Sequence, residues 1–115
     1  MENLEELLNQ AIETNNKEEL EKIKELIIKE KNASLAYKFA AECEDETKQL
    51  QKIVIKSSDA SLIYLFARDV FGAEIEKLEK AIIETENVSA MKNFANLEDA
   101  NRKKLLKKIK QIEEN

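Results

Sequence analysis

A chain of 115 residues with no Pro, one Gly, 5% aromatic and 37% charged residues is a single domain, large enough for its own core and helical almost throughout. It has no His and one Cys, which excludes the usual acid–base side chain near neutral pH, a Cys/His zinc grouping and an internal disulfide. A net charge of −5 argues against a dedicated nucleic-acid binder, whose phosphate contacts need a clustered basic surface.

Eight helices are predicted, near 2–14, 17–31, 33–43, 46–57, 60–71, 74–85, 88–95 and 98–113. The first carries Glu2, Glu5, Glu6 and Glu13 and no base. It lacks the basic start and apolar run of a signal peptide. Asn16, with Glu19 three residues on, resembles a capping box opening the second helix. In that helix Ile23, Leu26 and Ile27 form one face, while Ile28 lies well over 100° away.

Asn32 caps the third helix, whose buried stripe is Ala33, Ala36, Phe39, Ala40 and Cys43. Cys43 reads as a small core hydrophobe rather than a nucleophile. Glu42, Glu44, Asp45 and Glu46 follow as a solvated turn, because they have neither the spacing nor the Gly of a Ca²⁺ loop. The fourth helix repeats the pattern of the second with Leu50, Ile53 and Val54 on one face and Ile55 off it.

Asp59 caps the fifth helix, with Ala60, Ile63, Phe66, Ala67 and Val70 as its stripe. Its apolar run from Leu62 to Ala67 is too short to span a bilayer. Gly72 suits the left-handed position that ends a helix. The sixth helix places Leu78, Ala81 and Ile82 on its face and Ile83 off it; Asn87 then caps a seventh with Val88, Met91, Phe94 and Ala95. The eighth carries Arg102, Lys103, Lys104, Lys107, Lys108 and Lys110 around an apolar face of Leu105, Leu106, Ile109 and Ile112. It reads as a capping helix, without the Trp or Phe that would anchor it in a membrane.

The order contains a repeat. Ala33-Ser34-Leu35-Ala36-Tyr37-Lys38-Phe39-Ala40 returns 27 residues later as Ala60-Ser61-Leu62-Ile63-Tyr64-Leu65-Phe66-Ala67, and 28 later again as Val88-Ser89-Ala90-Met91-Lys92-Asn93-Phe94-Ala95. Such a period marks stacked helical repeats. Ile28, Ile55 and Ile83 occupy one repeat position, so each is expected to be buried in a second contact beyond the main face. The predicted architecture is all-α: a short right-handed α-solenoid of stacked antiparallel helix pairs, or a compact bundle of the same repeats. Its single domain would hold a cap (1–16), three degenerate repeats (17–45, 46–72 and 73–97) and a basic C-terminal cap (98–115).

Residues 57–87, from Ser57 through Phe66-Ala67, Val70, Gly72-Ala73, Ile75, Leu78 and Ala81-Ile82-Ile83 to Asn87, carry a recognisable motif. It resembles the short repeats of form FA-x-x-V-x-GA-x-I-x-x-L-x-x-AII in low-GC bacterial and phage-associated proteins, which are similar to HEAT repeats. The match is weaker over 17–56, where Asp45-Glu46 stands in place of Gly72-Ala73. The resemblance implies a two-helix solenoid unit used as a protein-binding scaffold, with no catalytic residues to carry over.

One surface feature survives this reading. On the Phe-Ala helices, positions beside the buried stripe carry Tyr37 and Lys38, then Tyr64, Leu65 and Arg68, then Lys92. A solenoid aligns such positions into a ridge, and Tyr and Arg are enriched where proteins meet. The expected function is a non-enzymatic protein-interaction module, cytoplasmic, with no cofactor and no metal. Its partner is another protein rather than a membrane or nucleic acid. An alternative is a small phage-type, anti-CRISPR-like inhibitor that occludes a host protein or its nucleic-acid groove. The acidic first and basic last helices also suggest weak, salt-sensitive self-association.

Overall fold

A computed structural model describes residues 3–43 and 48–114. They are helical with no strand, in the order α1 (Leu4–Thr14), α2 (Lys17–Glu30), α3 (Ala33–Glu42), α4 (Lys48–Lys56), α5 (Ala60–Asp69), α6 (Ile75–Thr85), α7 (Val88–Phe94) and α8 (Arg102–Glu114). Consecutive helices pack as antiparallel pairs into an elongated stack of 49 × 26 × 18 Å. No helix among these residues is long and apolar enough to cross a membrane.

The helix starts are written in short polar side chains. Asn3, Asn16, Asn32, Asp59 and Asn87 each accept a hydrogen bond from the amide three residues on, at Glu6, Glu19, Leu35, Leu62 and Ala90. Each satisfies one of the amides that a helix start leaves unpaired. Asn101 does the same for Lys104. For that reason α8 begins at Arg102 and not near residue 98 as expected; Ala95–Ala100 turn instead of continuing a helix. The predicted 46–57 helix is described from Lys48, and Glu44, Asp45 and Glu46 lie outside the described residues.

The two layers of the stack differ. The odd helices α3, α5 and α7 pack on one another closely, and α1 touches α3 more lightly. Ala36 and Ala40, Ala60 and Ala67, and Ala90 and Ala95 are buried there beside Phe39, Phe66 and Phe94. Small side chains allow the approach, and one aromatic per repeat fills the space between turns. Cys43 and Ala33, expected on the stripe, are only half-buried at the ends of α3.

The even helices meet only marginally: α2 touches α4, and contacts farther along the layer are slighter still. Ile28, Ile55 and Ile83 therefore pack against the core but remain half-buried, not buried as the repeat had suggested. Ile53 lies across a cleft from Ile28, which shows that its position faces the preceding even helix. Leu26 shares that position on α2, which has no even helix before it, and is 42% exposed.

Two buried polar side chains link this looser layer. Gln51 on α4 is 5% exposed. Its Oε1 accepts the Glu74 amide at 2.8 Å, and its Nε2 donates to Glu74 Oε1 at 3.1 Å. Glu74 precedes α6 and makes no side-chain cap of its own, so Gln51 supplies from a neighbouring helix what the local sequence lacks. Glu79 on α6, also 5% exposed, accepts the Asn101 amide at 2.6 Å in front of α8. Gln51 and Glu79 occupy one repeat position, so α4 holds the start of α6 and α6 holds the start of α8.

Candidate protein-binding ridge

Tyr37 lies on α3; Tyr64, Arg68 and Asp69 lie near one another on the packed α5. The Arg68 guanidinium grips Asp69 by two bonds, Nε to Oδ1 at 2.7 Å and Nη2 to Oδ2 at 2.9 Å. Such forked pairing fixes direction as well as distance. From α3, the Tyr37 hydroxyl donates to Asp69 Oδ2. One turn back on α5, the Tyr64 ring lies 5.6 Å from the guanidinium carbon, within cation–π range. A continuous chain, Tyr37 to Asp69 to Arg68 to Tyr64, spans two neighbouring odd helices.

The titration behaviour follows from these contacts. The Arg68 bonds hold Asp69 below the usual carboxylate range, with the Tyr37 hydroxyl adding to the effect. The Asp69 bonds raise Arg68 further above its ordinary range. Partial burial, and then the bond to Asp69, raises Tyr37 above its ordinary 10.0. At neutral pH the tyrosine is a neutral donor, Asp69 an anion and Arg68 a cation.

Both tyrosines are half-buried and Arg68 is exposed. Leu65 is half-buried yet not packed on the core, and it lines a shallow depression with Tyr64, Asn87, Ala90 and Asn93 between α5 and α7. The structure thus brings Tyr37, Tyr64 and Arg68 into one network and sets Leu65 beside it. Lys38 and Lys92 do not join. Lys38 pairs with Glu5 of α1 at 3.8 Å, and Lys92 with Glu113 of α8 at 3.3 Å, so these two tie the Phe-Ala helices to α1 and α8.

Two residues of this region were missed by sequence reasoning. Asp69 is the hinge of the network; its repeat counterparts are Glu42 and Leu97, so an acid recurs in two copies, but the position lies beyond the stripe and ridge positions singled out in the sequence. Phe71 was expected at the end of a helix over 60–71. The helix stops at Asp69, and Phe71 stands in the turn before Gly72, 76% exposed. Gly72 takes φ 81°, the left-handed conformation its position called for.

Among the described residues no three His, Cys, Asp or Glu side chains gather as metal ligands would. The ridge carries two half-buried tyrosines, the exposed Arg68 and the half-buried Leu65, and Phe71 is exposed in the turn after α5. Comparison with protein-family models, with curated proteins and with solved structures finds no match to this chain.

Proposed function

We propose that this chain is a non-enzymatic protein-interaction module that recognises its partner through the Tyr37, Tyr64, Leu65 and Arg68 ridge. The observation that carries the reading is the network through Asp69. It fixes two tyrosines and an arginine in place before any partner arrives, so little side-chain freedom is lost on binding. Phe71, in the turn just after α5, is a 76% exposed aromatic side chain close in sequence to Arg68 and Asp69. Large exposed apolar groups beside polar ones are typical of binding surfaces. The two-helix repeat, with its likeness to short HEAT-like units, supports a scaffold role, and a single cysteine suits the cytoplasm.

Affinity capture from a native lysate, comparing the parent with Tyr64→Ala/Arg68→Ala, tests the reading. The double variant is expected to lose the partner that the parent retains, with its far-UV CD spectrum and melting temperature nearly unchanged. Equal capture by both proteins would remove the ridge as the binding surface, and unfolding of the variant would assign these side chains to the core.

A further inference from the structure

The even-helix layer carries a second surface, independent of the ridge. Where α2 and α4 diverge they leave a cleft of about 360 Å³. Ile28 and Ile53 form its apolar floor, and Lys31, Lys52 and Lys56 stand on its rim. All three lysines are exposed, and none makes an ion pair among the described residues. Helix α4 carries Lys48, Lys52 and Lys56 and no acid, in a chain whose net charge is −5.

A simple explanation would be that lysines complement the helix C-termini. That accounts for Lys56, which aligns with Lys29 in the last turn of α2, but not for Lys31, which aligns with Ser58 and Glu86, nor for Lys52, which lies mid-helix. Half of the floor is built into the repeat, since Ile28 aligns with Ile55 and Ile83, whereas Ile53 aligns with Leu26 and the smaller Ala81. Between α2 and α4, three lysines without an ion pair among the described residues border this apolar floor.

We propose that this cleft docks an acidic segment of another protein, with an aliphatic side chain seated on Ile28 and Ile53 and carboxylates meeting the three lysines. Lys52 and Lys56 are one helical turn apart, a spacing that suits carboxylates carried on successive turns of a helix. Charge opposition sets which segment enters, and the apolar floor sets where it stops.

The probe is a fluorescein-labelled peptide, Glu-Glu-Leu-Leu-Glu-Glu-Leu, titrated with the full chain and followed by fluorescence anisotropy at low salt and at about 150 mM. Saturable binding that weakens with salt is expected. The variant Lys31→Gln/Lys52→Gln/Lys56→Gln should bind about tenfold or more weakly. These side chains are exposed, so an unchanged melting temperature should accompany the loss. Tyr64→Ala/Arg68→Ala should bind the peptide as the parent does, which separates failure of the cleft from failure of the ridge. Equal binding of a peptide with Ala in place of Leu would reduce the effect to plain charge attraction and overturn the proposal. Absence of saturable binding at low salt would overturn it as well. So would a dimer in sedimentation velocity that the triple Gln variant loses, since that would give the cleft to a second copy of this chain.

Discussion

The odd and even helices come from the same repeat, yet one layer is held by shape and the other by a few polar bonds. In α3, α5 and α7, alanines and one phenylalanine per copy close the spacing until side chains interlock. In α2, α4 and α6 the corresponding isoleucines reach sideways to a neighbour that is barely in contact, and Gln51 and Glu79 make the connection. A close-packed layer is a good platform for fixed side chains, and a splayed layer leaves clefts. The ridge lies on the first and the lysine-rimmed cleft in the second.

The contrast breaks most directly at Phe66, which is 1% exposed in the odd layer. Phe66→Ala should destabilise the fold by about 3–5 kcal/mol, the range for emptying a tightly packed aromatic site, read as a lower urea midpoint. A loss near 1 kcal/mol would mean that the odd layer relaxes into the gap and is not the rigid half.

The next effect in size separates the layers at equal chemistry. Ile55 is half-buried against the loosely spaced even helices, so Ile55→Ala should cost about 1–2 kcal/mol, below the range for a fully enclosed isoleucine. Ile63→Ala, at a site with no exposure in the odd layer, should cost more. Equal melting temperatures for the two variants would erase the distinction between the layers.

Smaller again are the polar links. Gln51→Ala leaves the part-buried Glu74 amide without its acceptor, and Glu79→Ala removes the acceptor of the Asn101 amide at a more exposed site. Each should cost about 0.5–1.5 kcal/mol, the net worth of a hydrogen bond whose donor water can reach, with Gln51→Ala the larger. Amide exchange should speed up first at the starts of α6 and α8 respectively. If both variants melt with the parent, packing alone holds the even layer.

These two results bear on what the sequence could say. The odd layer was legible because the same apolar spacing and the same short capping side chain recur at Asn32, Asp59 and Asn87. The polar links were not legible, because their shared position is Lys24, Gln51 and Glu79 in the three copies, and no chemical class repeats. The ridge was half legible. Tyr37 and Tyr64 recur at one position, whereas Asp69 and Phe71 act through where α5 happens to stop. Helix ends are set by a few local bonds, so the helix expected over 60–71 stops at Asp69 and leaves Phe71 exposed in the turn that follows.

The smallest expected effect lies at α1 and α8. Helix α1 exposes Glu6 and Glu13, and α8 exposes Lys103, Lys104, Lys107 and Lys108 around Leu106, which is 45% exposed. We infer weak head-to-tail association of copies through these ends. Because the contact joins unlike surfaces, it can extend as open chains. Exposed ion pairs are worth about 0–1 kcal/mol each, and salt screens them over roughly 10 Å at 0.1 M. The expected result is a weight-average mass in light scattering that rises with protein concentration at low salt and returns to the monomer at high salt. Lys103→Glu/Lys107→Glu should abolish the rise without moving the melting temperature. A rise that persists at high salt would point instead to the apolar side chains the splayed layer leaves open, Leu26 and Leu106, as the contact. A strictly monomeric mass at low salt and high concentration would leave both ends as caps with solvated faces.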